Sequence, residues 1–315
     1  MIEGKTIAVV VPCFNEELLI ERVITTMPNF VDRIIVVDDK SSDKTSIIVK
    51  QLVEKNEKLS LIEHSFNQGV GGAIATGYKQ ALSEEIDVTA VMAGDAQMDP
   101  DDLEAIALPV VRGECDFSKG NRLFTGDAWN VIPKVRYLGN SLLSLLTKIA
   151  SGYWHIADSQ SGYTAANLNV LKTIHWDRMY KRYGQPNDLL VRLNIYSFRV
   201  RDIMIKPVYG VGEKSGIKPI RMIPRLSWLI CKLFFFRMIQ KYVIRDFHPL
   251  LFFYLAGLVL SLLGGGLGSY LVFVKVKGAL VAETSVLLAS FLMITGLQFL
   301  LFGMWFDMES NRHLK

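Results

Sequence analysis

TIAVVVPCFNEELLIERVITTMPNFVDRIIVVDD, residues 6–39, decides the architecture. Thr6 to Val11 is a β-branched run that predicts a short buried strand stopping at Pro12. Glu16 to Met27 has the apolar spacing of a helix, and Arg33 to Val37 (RIIVV) predicts a second buried strand closing at Asp38 and Asp39. Strand, helix and strand in such short succession call for a parallel pair joined by a crossover. The alternation continues outward. Thr45 to Asn56 and Gly71 to Ser83 predict helices, and Leu59 to Glu63 and Val88 to Met92 predict strands. The expected fold is α/β: a Rossmann-like, mostly parallel sheet with helices on both faces.

Ligands of such sheets bind beyond the carboxyl ends of the strands. Four polar clusters fall there: Pro12-Cys13-Phe14-Asn15-Glu16-Glu17, Asp38-Asp39-Lys40-Ser41-Ser42-Asp43, Asn67-Gln68-Gly69-Val70-Gly71-Gly72, and Gly94-Asp95-Ala96-Gln97-Met98-Asp99-Pro100. Singly, each has a plain explanation. Asp43 suits a helix cap, and Asp99-Pro100 suits an N-cap followed by proline at the first helical position. Their recurrence at successive strand ends is the stronger signal. Gly69, Gly71 and Gly72 are not a dinucleotide fingerprint, because Ile74 stands where the last glycine belongs. No phosphate-loop pattern GxxxxGK[ST] occurs.

Composition sets the outer bounds. Of 315 residues, 50% are hydrophobic and 21% charged, and the mean hydropathy is +0.26. This excludes a disordered chain, and the length suggests about two domains. Cys13, Cys115 and Cys231 form no disulfide framework or paired zinc motif and suit a reducing compartment. His64, His155, His175, His248 and His313 show no metal-ligand spacing. A net charge of +4 does not argue for nucleic acid, and none is expected as a partner.

The apolar excess lies at the C-terminal end. Pro249 to Val274 and Thr284 to Phe306 carry no charged residue. Each exceeds the roughly 20 residues that a helix needs to cross a bilayer. The pair predicts a transmembrane hairpin, with Gly264, Gly265, Gly266 and Gly268 favouring close helix contact. The start, MIEGKTIAVVVP, lacks the basic region of a signal peptide. Lys218, Arg221, Arg225, Lys232, Arg237, Lys241 and Arg245 precede the first span, which orients the N-terminal part and the tail to the cytoplasm. Ile220 to Arg245 is amphipathic and suits the membrane interface, with Arg237, Lys241 and Arg245 toward anionic head groups. The expected organisation is a cytoplasmic catalytic domain (1–215), amphipathic juxtamembrane helices (216–248), two transmembrane helices (249–306) and a cytoplasmic tail (307–315).

Several motifs resemble those of family 2 glycosyltransferases of GT-A fold: VVVPCFNEE at 9–17, VVDDKSSDKT at 36–45, NQGVGGAIATGYKQAL at 67–82, MAGDAQMDP at 92–100, KGNR at 119–122, DSQSGYTA at 158–165 and NDLL at 187–190. With the hairpin, the resemblance is strongest to the polyprenyl-phosphate branch, which includes dolichol-phosphate mannose synthases and undecaprenyl-phosphate glucosyltransferases.

The resemblance implies an inverting transfer of one sugar from a nucleotide-diphosphate sugar to polyprenyl phosphate. The donor would be a UDP-hexose, with GDP-mannose next. Pro12, Asn15, Glu17 and Asp39 would surround the nucleobase and ribose, with Asp95 nearby. Asp95 and Gln97 would hold Mg²⁺ or Mn²⁺, although Ala93 stands where the family often has a first aspartate. Arg122 and Arg136 would grip the acceptor phosphate, assisted by Asn140, with Lys214 and Ser215 approaching the donor diphosphate or the acceptor. Asp158 would orient the acceptor or the sugar, and Asp188 a donor hydroxyl or the arginines. A lipid phosphate is already ionised at neutral pH and needs no strong base, whereas a hydroxyl acceptor would.

The resemblance places the enzyme in a prokaryotic cell membrane, with the bilayer itself a partner and a homo-oligomer left open. Transfer to a lipid or polysaccharide hydroxyl remains an alternative, although the Q-x-x-R-W motif of processive synthases is absent. A non-catalytic, membrane-tethered nucleotide-binding protein is the other.

Overall fold

The computed structural model describes residues 1–123, 134–208 and 219–315, excepting the side chains of residues 135, 136 and 219–223. They fall into two units, Met1–Arg237 with Leu314–Lys315, and Met238–His313.

The first unit is built on seven strands: β1 (Ile7–Cys13), β2 (Arg33–Asp38), β3 (Leu59–Glu63), β4 (Val88–Val91), β5 (Phe117–Asn121), β6 (Thr164–Asn167) and β7 (Val200–Met204). Their order is β3-β2-β1-β4-β6-β5-β7. Pairing is parallel throughout except for β6, which runs antiparallel to both β4 and β5. The mostly parallel sheet expected from the sequence is therefore present. One residue on each face is dictated by the pleat: Ala8 and Val10 of β1 enter one core layer, and Ile7, Val9 and Val11 the other.

β1 does not stop at Pro12. β4 ends at Val91, opposite Val10, so no ladder donor toward β4 is demanded of Pro12. Its carbonyl instead accepts from the Gly94 N–H at 3.1 Å. The first helix is also shorter than its pattern predicts. α1 spans Ile20–Thr25 rather than starting at Glu16; ahead of it the Glu16 N–H donates to Thr45 Oγ1 at 2.8 Å and the Glu17 N–H to Asp43 Oδ2 at 3.1 Å, tying this turn to the segment after β2. α2 (Thr45–Val53) and α3 (Val70–Ser83) follow. α3 lies against the sheet so closely that a Cβ on Gly77 would sit 2.2 Å from Val10 Cγ1.

α4 (Leu103–Val111), α5 (Lys134–Ser151), α6 (Leu168–Thr173), α7 (Gln185–Ile195) and α8 (Pro219–Ile239) complete the unit. Leu143 and Ala150 of α5, Val191 and Ile195 of α7, and Leu226, Ile230 and Leu233 of α8 form a third apolar cluster. Leu314, near the chain's end, is buried in the same core layer as Tyr153, Phe198 and Val200.

α8 departs from the expected interfacial pattern. Arg237 is buried, its Nε donating to Ala150 O at 2.7 Å and its Nη2 to Ile149 O at 3.1 Å. It ties α8 to the end of α5 instead of facing head groups. Arg225 and Lys232 are exposed.

The second unit starts with a π-helical turn, Gln240–Arg245, followed by α9 (Leu250–Val276) and α10 (Glu283–Ser310). Lys241 is also buried, donating to Asn311 Oδ1 at 2.7 Å, while Tyr242 Oη donates to Asp307 Oδ1 at 2.7 Å. Arg245 is exposed. Both helices are long and apolar enough to cross a membrane, with a hydropathy of 2.1 over their most apolar stretch and only 17% of it buried. They pack through Gly257 and Gly264 on α9 and Ala289, Gly296 and Gly303 on α10, seven residues apart on each helix. A Cβ on Gly296 would stand 2.5 Å from Ser261 N, and one on Gly264 2.6 Å from Met293 N. A seven-residue repeat of small side chains lets two helices meet backbone to backbone along one seam. Of the four glycines expected there, only Gly264 takes part; Gly265, Gly266 and Gly268 meet nothing within 4 Å.

Candidate active site

The loops after β1 and β2 are laced together at the carboxyl edge of the sheet. Asn15, in the left-handed region at φ 58°, donates its N–H to Ser41 Oγ at 2.9 Å and accepts at Oδ1 from the Ser42 N–H at 2.8 Å. Glu17 Oε2 accepts from the Lys44 N–H at 3.1 Å. Pro12 and Asp39 are buried beside this lacing, and the Asp39 N–H donates to Cys13 O at 2.9 Å. Asp39 Oδ1 accepts from the Gln68 N–H at 2.8 Å and lies 2.8 Å from His64 Nδ1; Oδ2 accepts from the Gly69 N–H at 2.7 Å. Gly69 holds φ at +90°, a conformation that only glycine adopts cheaply. One carboxylate thus organises the third polar cluster around the second. The four residues expected around the nucleotide, Pro12, Asn15, Glu17 and Asp39, are brought together.

The fourth cluster follows β4. Asp95 Oδ1 accepts from the Gln97 N–H at 3.1 Å, which places the Asp95 and Gln97 side chains in one tight turn whose middle residue, Ala96, has φ 55°. The Glu16 carboxyl is pushed up to about 7, by burial first and then by the charges of Asp95 and Asp43. Negative potential is therefore concentrated at this turn, the condition a divalent cation relieves. Among the described residues no three His, Cys, Asp or Glu side chains converge to hold a metal alone. Asp95 and the Gln97 oxygen suit a hard cation that takes its remaining ligands from diphosphate and water.

On the far side of β4, Arg122 follows β5. Its Nε donates to Asp158 Oδ2 at 2.8 Å, its Nη2 to Oδ1 at 3.2 Å, and its backbone N–H to Oδ2 at 3.3 Å. The Gln160 N–H donates to Asp158 Oδ1 at 3.1 Å. Asp158 is 0% exposed, whereas the Arg122 side chain keeps 24% of its surface. Burial alone would raise the Asp158 carboxyl, but Arg122 and then Lys119 hold it below the usual carboxylate range. The loop 158–161 is tied to α5, where Ser144 Oγ accepts from the Ser159 N–H at 3.0 Å. Asn140, half-buried, lies one turn before Ser144, and the Arg136 backbone one turn earlier, on the same helix face. The Arg136 side chain, Lys214 and Ser215 lie outside the described residues.

Asp188 pairs with a different arginine. At the start of α7 its Oδ1 accepts from Arg192 Nε at 2.9 Å and its Oδ2 from the Tyr180 N–H at 2.7 Å. It orders an arginine, as one expectation had it, but that arginine is Arg192. Burial raises its carboxyl, against the Arg192 charge.

Sequence reasoning missed the groups beneath Arg122. Lys119 is 1% exposed and its Nζ donates to Ser161 O. Asp202 on β7 faces it across the strand pair. Gln160 Nε2 donates to Asn187 Oδ1 at 2.8 Å, and Thr147 Oγ1 lies 3.0 Å from the same oxygen. A lysine inside a strand, within KGNR, was the available signal.

Residues 8–174 match the glycosyl transferase family 2 domain. The chain is 31% identical over 218 residues to the UDP-N-acetylglucosamine–dolichyl-phosphate N-acetylglucosaminyltransferase of Methanococcus voltae, covering 65% of this chain and 86% of that protein. It is 26% identical over 215 residues to the undecaprenyl-phosphate mannosyltransferase of Micrococcus luteus, covering 66% and 86%. The glucosyl-3-phosphoglycerate synthase of Mycobacterium tuberculosis, crystallised with Mn²⁺ and UDP-glucose, superposes with a TM-score of 0.53 at 20% identity over 74% of this chain and 79% of that one. That likeness identifies the fold as GT-A. The sheet order, the polar clusters at its carboxyl edge and the match over 8–174 converge on one conclusion: this chain is a glycosyltransferase of family 2.

Proposed function

We propose that the enzyme moves one sugar, with inversion, from a uridine-diphosphate sugar to a polyprenyl phosphate at the cytoplasmic face of a membrane. One observation carries the choice of a phosphate acceptor over a hydroxyl. Asp158 and Asp188 are both buried, and both oxygens of each accept structural hydrogen bonds. A hydroxyl acceptor would need a carboxylate base; a phosphate does not, because it arrives ionised.

In this reading Arg122 receives the acceptor phosphate on its exposed edge while Asp158 fixes its plane. Arg136, Asn140, Lys214 and Ser215 are proposed to complete that pocket. A phosphate oxygen forms the new bond to the anomeric carbon as the bond to the donor β-phosphate breaks, and the electron pair leaves with UDP. No proton has to move. Pro12, Asn15, Glu17 and Asp39 form the proposed nucleotide pocket. Asp95 and Gln97 would hold Mg²⁺ or Mn²⁺, which when bound supplies positive charge to the leaving diphosphate. The relatives named above use polyprenyl-phosphate acceptors by their names, and one of them a UDP-sugar. The domain scheme is part of the proposal: catalytic residues 1–215, a juxtamembrane segment 216–248, a membrane hairpin 249–306 and a tail 307–315. Exposed Arg225, Lys232 and Arg245 support a cytoplasmic orientation.

The test is radiolabelled transfer by the full chain from UDP-N-acetylglucosamine, UDP-glucose and GDP-mannose. Acceptors are undecaprenyl phosphate, dolichyl phosphate and the corresponding free alcohols. A lipid-phosphate product is expected. Transfer to the alcohols alone, or no lipid product from any donor, overturns the reading.

A further inference from the structure

Arg122 presents a difficulty as a phosphate ligand. Asp158 neutralises it through a bidentate pair, so the two together offer an incoming dianion almost no net charge. Arg136 and Lys214, proposed for the same pocket, lie outside the described side chains, and among the described ones a further cation can offset that pairing. Lys119 stands three residues earlier, on β5, fully buried, with its ammonium hydrogen-bonded to Ser161 O. Asp202, its neighbour on β7, does not pair with it within 4 Å. Asp202 Oδ2 instead accepts from the Ala157 N–H at 2.6 Å and from Asn121 Nδ2 at 3.0 Å, and its Oδ1 is buried without a partner. The loop 157–161 is therefore held at three points: by a buried anion at Ala157, by Arg122 at Asp158, and by a buried cation at Ser161.

We propose that Lys119 is a positioning residue for the acceptor phosphate, fixing the loop that carries Asp158 and supplying the positive charge that Arg122 loses to that carboxylate, with Asp202 as the opposing counterweight. The inference rests on the reading of Arg122 as the acceptor-phosphate ligand. The charged groups that act on Lys119 are Asp158 on the loop, Asp202 on β7 and Arg122 after its own strand; Tyr78 of α3 lines the same cavity, and Lys148 of α5 acts on Asp202. Arg122 and Asp158 cancel, so removing Lys119 leaves the Asp202 charge uncompensated, and removing Asp202 leaves that of Lys119. The two substitutions must act in opposite directions. A purely structural role for either residue would move both the same way. Burial lowers the Lys119 ammonium from its ordinary value, against the pull of Asp158 and Asp202. Acceptor affinity should accordingly fall with rising pH at a pH below the ordinary lysine range.

The experiment measures Kd for undecaprenyl phosphate in detergent micelles, and for UDP, with the full-length protein. This readout does not require the sugar donor to be known. Lys119→Met should raise the undecaprenyl phosphate Kd about 10-fold, the scale of one partly screened charge, leave the UDP Kd unchanged, and abolish the alkaline loss of affinity. Asp202→Asn should lower the same Kd. If Lys119→Met unfolds, Asp202→Asn alone decides. A rise in acceptor Kd for Asp202→Asn, or an alkaline limb that persists in folded Lys119→Met, overturns the proposal. An unchanged Kd in Arg122→Ala would sink the underlying assignment of Arg122 instead, so the two failures are separable.

Discussion

Asp158→Asn is the sharpest perturbation of the site. The carboxylate accepts from Arg122 Nε, Nη2 and N–H and from the Gln160 N–H, at 2.8, 3.2, 3.3 and 3.1 Å, while itself fully buried. Asparagine keeps one acceptor oxygen but turns an NH₂ donor toward a guanidinium that has no atom able to accept from it. Removing one partner of a buried pair costs about 3–5 kcal/mol. The Arg122 side chain is 24% exposed and regains some hydration, so the low end, about 3 kcal/mol, applies. In a unit of this size 1 kcal/mol moves the melting midpoint by roughly 2–4 °C, so the shift should be about 6–12 °C. The assay is intrinsic fluorescence melting of the full chain in detergent across pH. The folded Asp158 carboxyl is held below its usual range. Its stabilisation is therefore complete above the unfolded-state value of about 3.9 and is lost as pH falls through the folded value. The gap between wild type and variant should be full at pH 7 and shrink in strong acid. Arg122→Met with Asp158→Asn should cost less than the sum of the single changes. A midpoint within about 2 °C of wild type at pH 7, or strict additivity, refutes the ion pair as an organising contact.

Other expectations are separable from this one. Asp95→Ala should cut Mn²⁺-supported transfer by about 10²-fold or more while leaving the melting midpoint near wild type; unchanged transfer removes Asp95 from the metal site. Arg237→Met should destabilise by about 2–4 kcal/mol, because the Ala150 and Ile149 carbonyls lose a charged donor, whereas Arg225→Ala with Lys232→Ala should leave the melt alone and weaken binding to anionic vesicles. Gly296→Val should cost about 1–3 kcal/mol in hairpin stability from overpacking against Ser261, and Gly265→Val almost nothing, as read by steric trapping in bicelles; equal effects would refute the seam.

The strands were legible because buried parallel strands read as unbroken apolar runs, as in Thr6–Val11 and Arg33–Val37. The polar clusters at their ends were legible because strand ends are where such sheets carry function. Glu16 to Leu19 misled because helix-forming composition does not show that Glu16 and Glu17 are held by Thr45 and Asp43, groups supplied by the segment after β2. Arg237 and Lys241 misled similarly. Four-residue spacing defines a helix face but not what covers it, and in each case buried oxygen acceptors cover it. Arg122 and Asp158 could each be named from their motifs, but that they pair with one another, and that both carboxylates of interest are saturated, could not. Asp202 has no local signature at all, since only the β5–β7 register brings it opposite Lys119.

Leu314 has a consequence for handling the protein. The chain begins in the first unit, leaves it after Arg237, and returns to place Leu314 in its core. In connectivity the hydrophobic hairpin is an insertion and not an appendage. A water-soluble fragment made by cutting ahead of the apolar helices would therefore carry a hole where a leucine belonged, a defect of about 2–5 kcal/mol. Severing the anchor while joining residue 237 to the last residues through a flexible linker would keep that plug in place.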